Sequence, residues 1–274
     1  MTNYLKQVNY YRLSGYLWTF KTIYPLTQDE IYKPNTTFEI IKNQYEFDRQ
    51  LRLLLMDAIE RIEISILRTR LVEINSLKFG PFGYIDKKNY NPKFPEKDFN
   101  VFLKEIAVNE KRSYEEFINR YRKKYTSEKY LPLWMSVELM SFGHLFTFYR
   151  NQHLAVKQEL SHRFGVFPPV LDSWLHTLLY IRNACAHHVR IWNKPLPLPP
   201  KIPDYKYDLR WYTPIKISNN HIFAVLTIIA YLMDQINTET KWKLKVKTQI
   251  SENPSIPINA MGFPKDWEDV PFWQ

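Results

Sequence analysis

Three residues on one short stretch have the types and spacing that RNA cleavage requires: Arg182, Asn183 and His187, within Tyr180-Ile181-Arg182-Asn183-Ala184-Cys185-Ala186-His187-His188. Breaking a ribose-phosphate bond without a metal needs a base for the 2′-hydroxyl, an acid for the departing 5′-oxygen, and a fixed cation for the phosphorane charge. Imidazole titrates near neutrality and serves as either acid or base. Guanidinium is a planar, permanently charged fork that matches phosphate oxygens. On a helix, Ser173, His176, Tyr180, Asn183, His187 and Arg190 recur at three- and four-residue steps and share one face. Trp174, Leu178, Ile181 and Cys185 form the opposite, apolar face. Arg182 lies about 100° round from Asn183, within reach of a phosphate held there. One helix supplies one such histidine, so two copies facing each other would complete the site. The bland alternative is a satisfied polar patch, with Asn183 and His187 paired locally and Arg182 bound to a carboxylate.

Around this core stand supporting candidates. His188 falls toward the apolar side of the wheel, Arg190 one turn beyond His187 can meet a phosphate, and Tyr180 can stack a base or simply pack. Tyr10, Tyr11 and Arg12, with Tyr16, Trp18 and Phe20, mix aromatics with a cation as single-stranded RNA platforms do. Such stripes are more often core, and core is the expectation here. No HExxH, paired-aspartate or clustered-histidine pattern marks a metal site, and no glycine loop cradles a phosphate, so no metal and no cofactor is expected.

The elements that must carry these residues read as helices. Leu51, Leu55, Ala58, Ile62 and Ile66 keep helical spacing within Thr37 to Asn75, with Arg52, Glu60, Arg61, Glu63 and Arg68 falling between them. Thr36 or Thr37 caps its start. Further helices are expected over 98–108, 113–125, 133–150 (interrupted near Gly143), 157–164 and 220–235. The helix bearing the candidate site is expected over 170–191. Prolines 195, 197, 199, 200 and 203 make a stiff segment over 194–219, and 253–274 reads as an extended tail. The expected organisation is one domain over 1–274, an all-α bundle with additional helices.

Composition agrees. Of 274 residues, 45% are hydrophobic and 16% aromatic, enough for a large core, and only six are glycine, which favours helices over a turn-rich β fold. Net charge is +10, which fits a polyanionic partner, although lysine-rich composition alone also produces it. Cys185 is the only cysteine, so no internal disulfide is possible and a reducing cytoplasm is expected. Met1 to Phe20 lacks an apolar signal core, and the apolar run 222–233 is shorter than the ~20 residues that span a bilayer, so a soluble protein without membrane contact is expected.

Arg182-Asn183-x3-His187 resembles the Arg-x(4–6)-His signature of HEPN domains. Longer stretches resemble the Abi (abortive infection) family of phage-defence proteins. They are Asn9 to Tyr16, Phe47 to Arg52, Ala58 to Glu63, Trp134 through Glu138 to Gly143, Arg182 to Asn193, and Met261-Gly262-Phe263-Pro264. Members usually carry a longer segment ahead of the Tyr10 stretch than the nine residues here, so either a shortened start or a missing N-terminal element is expected. The resemblance implies a HEPN-like helical bundle and a toxin-like endoribonuclease, usually a homodimer, with Arg182, Asn183 and His187 catalytic. RNA is the implied partner, including a small regulatory RNA, and an antitoxin is a further one. The alternative it leaves open is a non-catalytic HEPN module that holds RNA or a partner.

Overall fold

Helical spacing that opens at Thr37 runs on to Phe79, and everything else is arranged about this rod. The computed structural model describes residues 2–23 and 30–274. It begins with α1 (Thr2–Val8) and α2 (Tyr10–Leu17), followed by a short antiparallel pair in which β1 (Lys21–Ile23) lies against β2 (Glu30–Tyr32). Then comes α3 (Phe38–Ile62), whose first turn is capped by Thr37 Oγ1 accepting the Ile40 amide at 3.3 Å. Ile41, Phe47, Leu51, Leu55, Ala58 and Ile62 form its buried stripe. Burying each large aliphatic side chain contributes about 1.5–3 kcal/mol. Helix α2 and three later helices pack on α3, so it is the axis of the bundle.

Beyond Ile62 the rod widens into a π turn over Glu63–Arg70 before α4 (Leu71–Phe79). A π turn brings residues five apart into register. Arg68 thereby reaches Glu63 Oε1 with Nη2 at 2.6 Å and Nε at 3.1 Å. The same guanidinium donates to the carbonyls of Val137 and Met140 and so clamps a distant chain reversal. Arg68→Ala is expected to cost about 2–3 kcal/mol, because charge-assisted bonds to Glu63 and to the Val137 and Met140 carbonyls are lost. A thermal melt checks this, and Arg68→Lys should recover part of the loss.

The chain continues through α5 (Glu96–Arg112), α6 (Glu116–Lys124), α7 (Leu133–Ser136), α8 (Phe142–Arg150) and α9 (Leu154–His162). The interruption expected near Gly143 falls at Met140 and Ser141, where Ser141 Oγ caps α8 by accepting the His144 amide at 3.3 Å. Next come α10 (Pro168–Ala186), α11 (Ile222–Ile236) and α12 (Trp242–Ser251). Every residue from Ile222 to Met233 is buried, as befits a helix apolar all round. Apart from the β1–β2 pair and one bridge between Tyr90 and Gln152, the described residues carry no strand, and the fold is all-α. No helix among them is long and apolar enough to cross a membrane.

Two irregular segments fix α10 and the core. The proline-rich stretch after Lys194 runs along α10, where Trp174 Nε1 donates to the Lys201 carbonyl at 2.8 Å and Thr177 Oγ1 to that of Leu198 at 2.9 Å. The Lys201 amide in turn donates to Ser173 Oγ at 2.9 Å. Prolines lack an amide hydrogen, so this strap leans on side-chain groups of the helix for its polar contacts. The tail over 253–274 follows an irregular path with short 3-10 turns and drives Trp267, Phe272 and Trp273 into the core. Trp273 Nε1 donates to Thr227 Oγ1 on α11 at 3.0 Å.

Candidate active site at the end of α10

Helix α10 begins at Pro168 and Pro169, residues that suit a first turn because its amides have no intrahelical partner. Trp174, Leu178, Ile181 and Cys185 are buried, as the apolar face predicts. The polar face is not uniform. Ser173 is taken up by the strap, and the half-buried His176 stacks on Phe146 with ring centroids 5.2 Å apart. Tyr180 packs half-buried against the core. The C-terminal turn is the more open part: Asn183 and His187 are exposed and Arg182 is half-buried.

This turn is where the helix stops, at Ala186 rather than at residue 191 as the periodicity predicts. The His187 amide still donates to the Asn183 carbonyl at 2.9 Å. His188 then takes a left-handed conformation with φ of 57°, its amide donates to the Cys185 carbonyl at 3.0 Å, and the Val189 amide closes on Ala184 at 2.8 Å. That pair of bonds is a Schellman ending, with histidine where glycine usually stands. His188 is therefore exposed and does not turn onto the apolar side of α10. Relieving the left-handed strain with His188→Gly is expected to stabilise the fold by up to about 1 kcal/mol. A fall in melting temperature would instead show that the imidazole makes a contact of its own.

Arg190 also departs from the expected pattern, because it lies past the end of the helix. Its guanidinium donates to the Gly15 carbonyl and sits 6.0 Å from the centroid of the Tyr16 ring. It ties α2 to the segment after α10. Arg12 does likewise from the other direction, its Nη1 donating to the His188 carbonyl at 3.0 Å. Tyr10, Tyr11 and Trp18 stay exposed, Tyr11 at 86%, against the expectation that they are core; Tyr16 alone of the cluster is fully buried and Phe20 is half-buried.

Beneath these contacts lies a buried latch. Asp48 on α3 is fully buried and accepts the amides of Ile191 at 3.1 Å and Trp192 at 2.7 Å, the Tyr16 hydroxyl at 2.5 Å, and an ion pair from Arg52. Burial pushes the Asp48 carboxyl up, while Tyr16, Arg52 and the two amides pull it down. Every neighbour points a hydrogen at it, the arrangement of a carboxylate. Burial and the adjacent Asp48 charge raise the Tyr16 phenol far above its ordinary value, so it stays a donor at physiological pH. The latch fixes where the chain goes after His187. Asp48 and Arg52 were legible only as charges at helical spacing, which normally face water. A signal was present: both fall beside the buried stripe of Phe47, Leu51 and Leu55, four residues apart.

The site's charges are few and specific. Arg182 Nη1 donates to Asn183 Oδ1 at 3.2 Å, and among the described residues no carboxylate pairs with it. No hydrogen bond or ion pair engages the His187 imidazole among those residues either. Cys185 is not a competing nucleophile, because burial pushes its thiol up to about 12. No three His, Cys, Asp or Glu side chains gather as a metal cluster among the described residues.

A family model described as Abi-like protein matches residues 3–193. The match takes in α1 through the latch and includes Tyr16, Asp48, Arg52 and Arg182 to His187, while the Met261 to Pro264 stretch lies beyond it. No curated protein and no solved structure matches the chain significantly. With well over half of its residues matched, the chain belongs to the Abi-like protein family.

Proposed function

We propose that the chain is a metal-independent HEPN-type endoribonuclease of a phage-defence or toxin–antitoxin system, cutting single-stranded or loop RNA. The observation that carries this reading is the last turn of α10. There an imidazole and a guanidinium lie five residues apart in sequence without a carboxylate partner among the described residues, the guanidinium bonded to the Asn183 amide oxygen, at a helix end fixed by a buried latch.

In the mechanism, His187 takes the proton from a ribose 2′-hydroxyl. The 2′-oxygen attacks the adjacent phosphorus, and the bond to the 5′-oxygen breaks as that oxygen receives a proton from the His187 of a second copy. Arg182 neutralises charge on the phosphorane, and Asn183 orients Arg182 and the phosphate. The products are a 2′,3′-cyclic phosphate and a 5′-hydroxyl. Two copies, each contributing one histidine, make a homodimer the working unit.

The chemistry of the ends tests this. Products should carry 5′-hydroxyls and cyclic phosphates, and a single 2′-deoxy nucleotide should protect the bond on its 3′ side. Cleavage at that deoxy position, or 5′-phosphate products, would refute the mechanism. Intact RNA bound tightly by both wild type and His187→Ala would point instead to a module that holds RNA.

A further inference from the structure

Beside His187 lies a cleft of about 540 Å³ that belongs to none of the contacts above as a binding element. One wall is a stripe of α3, where Tyr45, Arg49, Arg52, Leu53 and Met56 recur at helical steps. The other side is the end of α10, through Cys185, Ala186 and His188, and Arg12 of α2 also lines the cleft. His187 sits in sequence between two of these lining residues.

The chemistry of the lining is lopsided. Three arginines and a histidine surround it, and no carboxylate does. Arg52 is committed to Asp48, but the others are not spent in the same way. Arg12 meets only a carbonyl, and the half-exposed Arg49 stands 3.6 Å from Glu46, a loose surface pair worth little. The rest of the lining includes the apolar side chains of Tyr45, Leu53, Met56 and Ala186, and Leu53 is 54% exposed. Apolar surface together with cations is what a nucleotide needs, the base against the first and the phosphate against the second.

We propose that this cleft seats the nucleotide adjoining the scissile phosphate of single-stranded RNA, with its base against Tyr45, Leu53 and Met56 and its phosphate held by Arg12 and Arg49. The assignment deepens the ribonuclease reading and rests on it, since the cleft would set which bond reaches His187. It also makes Arg49 a substrate-positioning residue.

A fully 2′-O-methylated RNA decamer tests binding apart from cleavage, because the blocked 2′-oxygen cannot attack. Arg49→Glu is expected to weaken its binding about tenfold and to lower the salt dependence by about one phosphate contact. Lys123→Glu, the same charge change on the exposed end of α6, should alter binding less than twofold. Equal losses from the two variants would overturn the proposal, because only bulk charge would then matter. A decamer with 4-thiouridine, photocrosslinked to wild type, should mark peptides of α3 between Tyr45 and Met56. Crosslinks confined to other helices would overturn it as well. Cleavage of unmodified RNA is followed alongside. Cleavage with unchanged Arg49→Glu affinity removes the cleft alone, whereas Arg49-dependent binding with no cleavage keeps the cleft as an RNA site and removes the ribonuclease.

Discussion

His187→Ala is expected to lower the rate of RNA cleavage by about three orders of magnitude while leaving the fold untouched. The magnitude follows from the role. A positioned acid or base contributes 10²–10⁴ to a proton-transfer step, and His187 would act on both sides of the scissile bond through two copies. The structural cost is small because the side chain is exposed and has no partner among the described residues. Circular dichroism and melting temperature should therefore match wild type. Arg182 gives a sharper test of geometry. Arg182→Lys keeps the charge but loses the fork, so it should retain binding and lose most of the rate. An Arg182→Lys variant with unchanged rate would reduce Arg182 to general electrostatics.

The second large effect concerns the latch. Asp48→Ala is expected to destabilise the protein by about 3–5 kcal/mol, since it leaves the buried Arg52 charge and two buried amides without their acceptor. At about 2–4 °C per kcal/mol, the melting temperature should fall by roughly 10 °C. Asp48→Asn retains one oxygen for the amides and should cost less than Ala. Tyr16→Phe removes a single donor and should cost only about 1 kcal/mol. A simple buried ion pair can often be replaced by apolar residues without loss. Here the combined Asp48→Leu, Arg52→Met variant should remain destabilised, because the Ile191 and Trp192 amides would still lack a partner. Near-wild-type stability of that double variant would show that the amides find another acceptor.

These effects also show which parts of the molecule were legible in the sequence. The long helix from Thr37, the buried helix over 222–236 and the two faces of α10 all follow from local periodicity, which the structure keeps. The π turn was not visible, because one extra residue shifts the phase of the stripe without breaking it. The end of α10 was hidden for a different reason. Neither glycine nor proline stands at 187 or 188, so no local signal says stop. The chain turns there because His188 accepts a left-handed backbone and Asp48, about 140 residues upstream, captures the amides that would have extended the helix. For that reason the periodicity puts Arg190 on the helix, and it shows Arg52 only as a charge between apolar positions. Exposure of Tyr10, Tyr11 and Trp18 is a property of how α2 meets α3, which residue types do not encode.

On the function proposed above, Arg182 and His187 cleave RNA with no metal. The most direct measurement is the initial rate on a mixed single-stranded RNA in excess EDTA, for wild type, Arg182→Ala and His187→Ala. Steady cleavage by wild type is expected, with losses of about a thousandfold in each variant and all three proteins equally folded. Cleavage that EDTA abolishes, or that survives both substitutions, would contradict it.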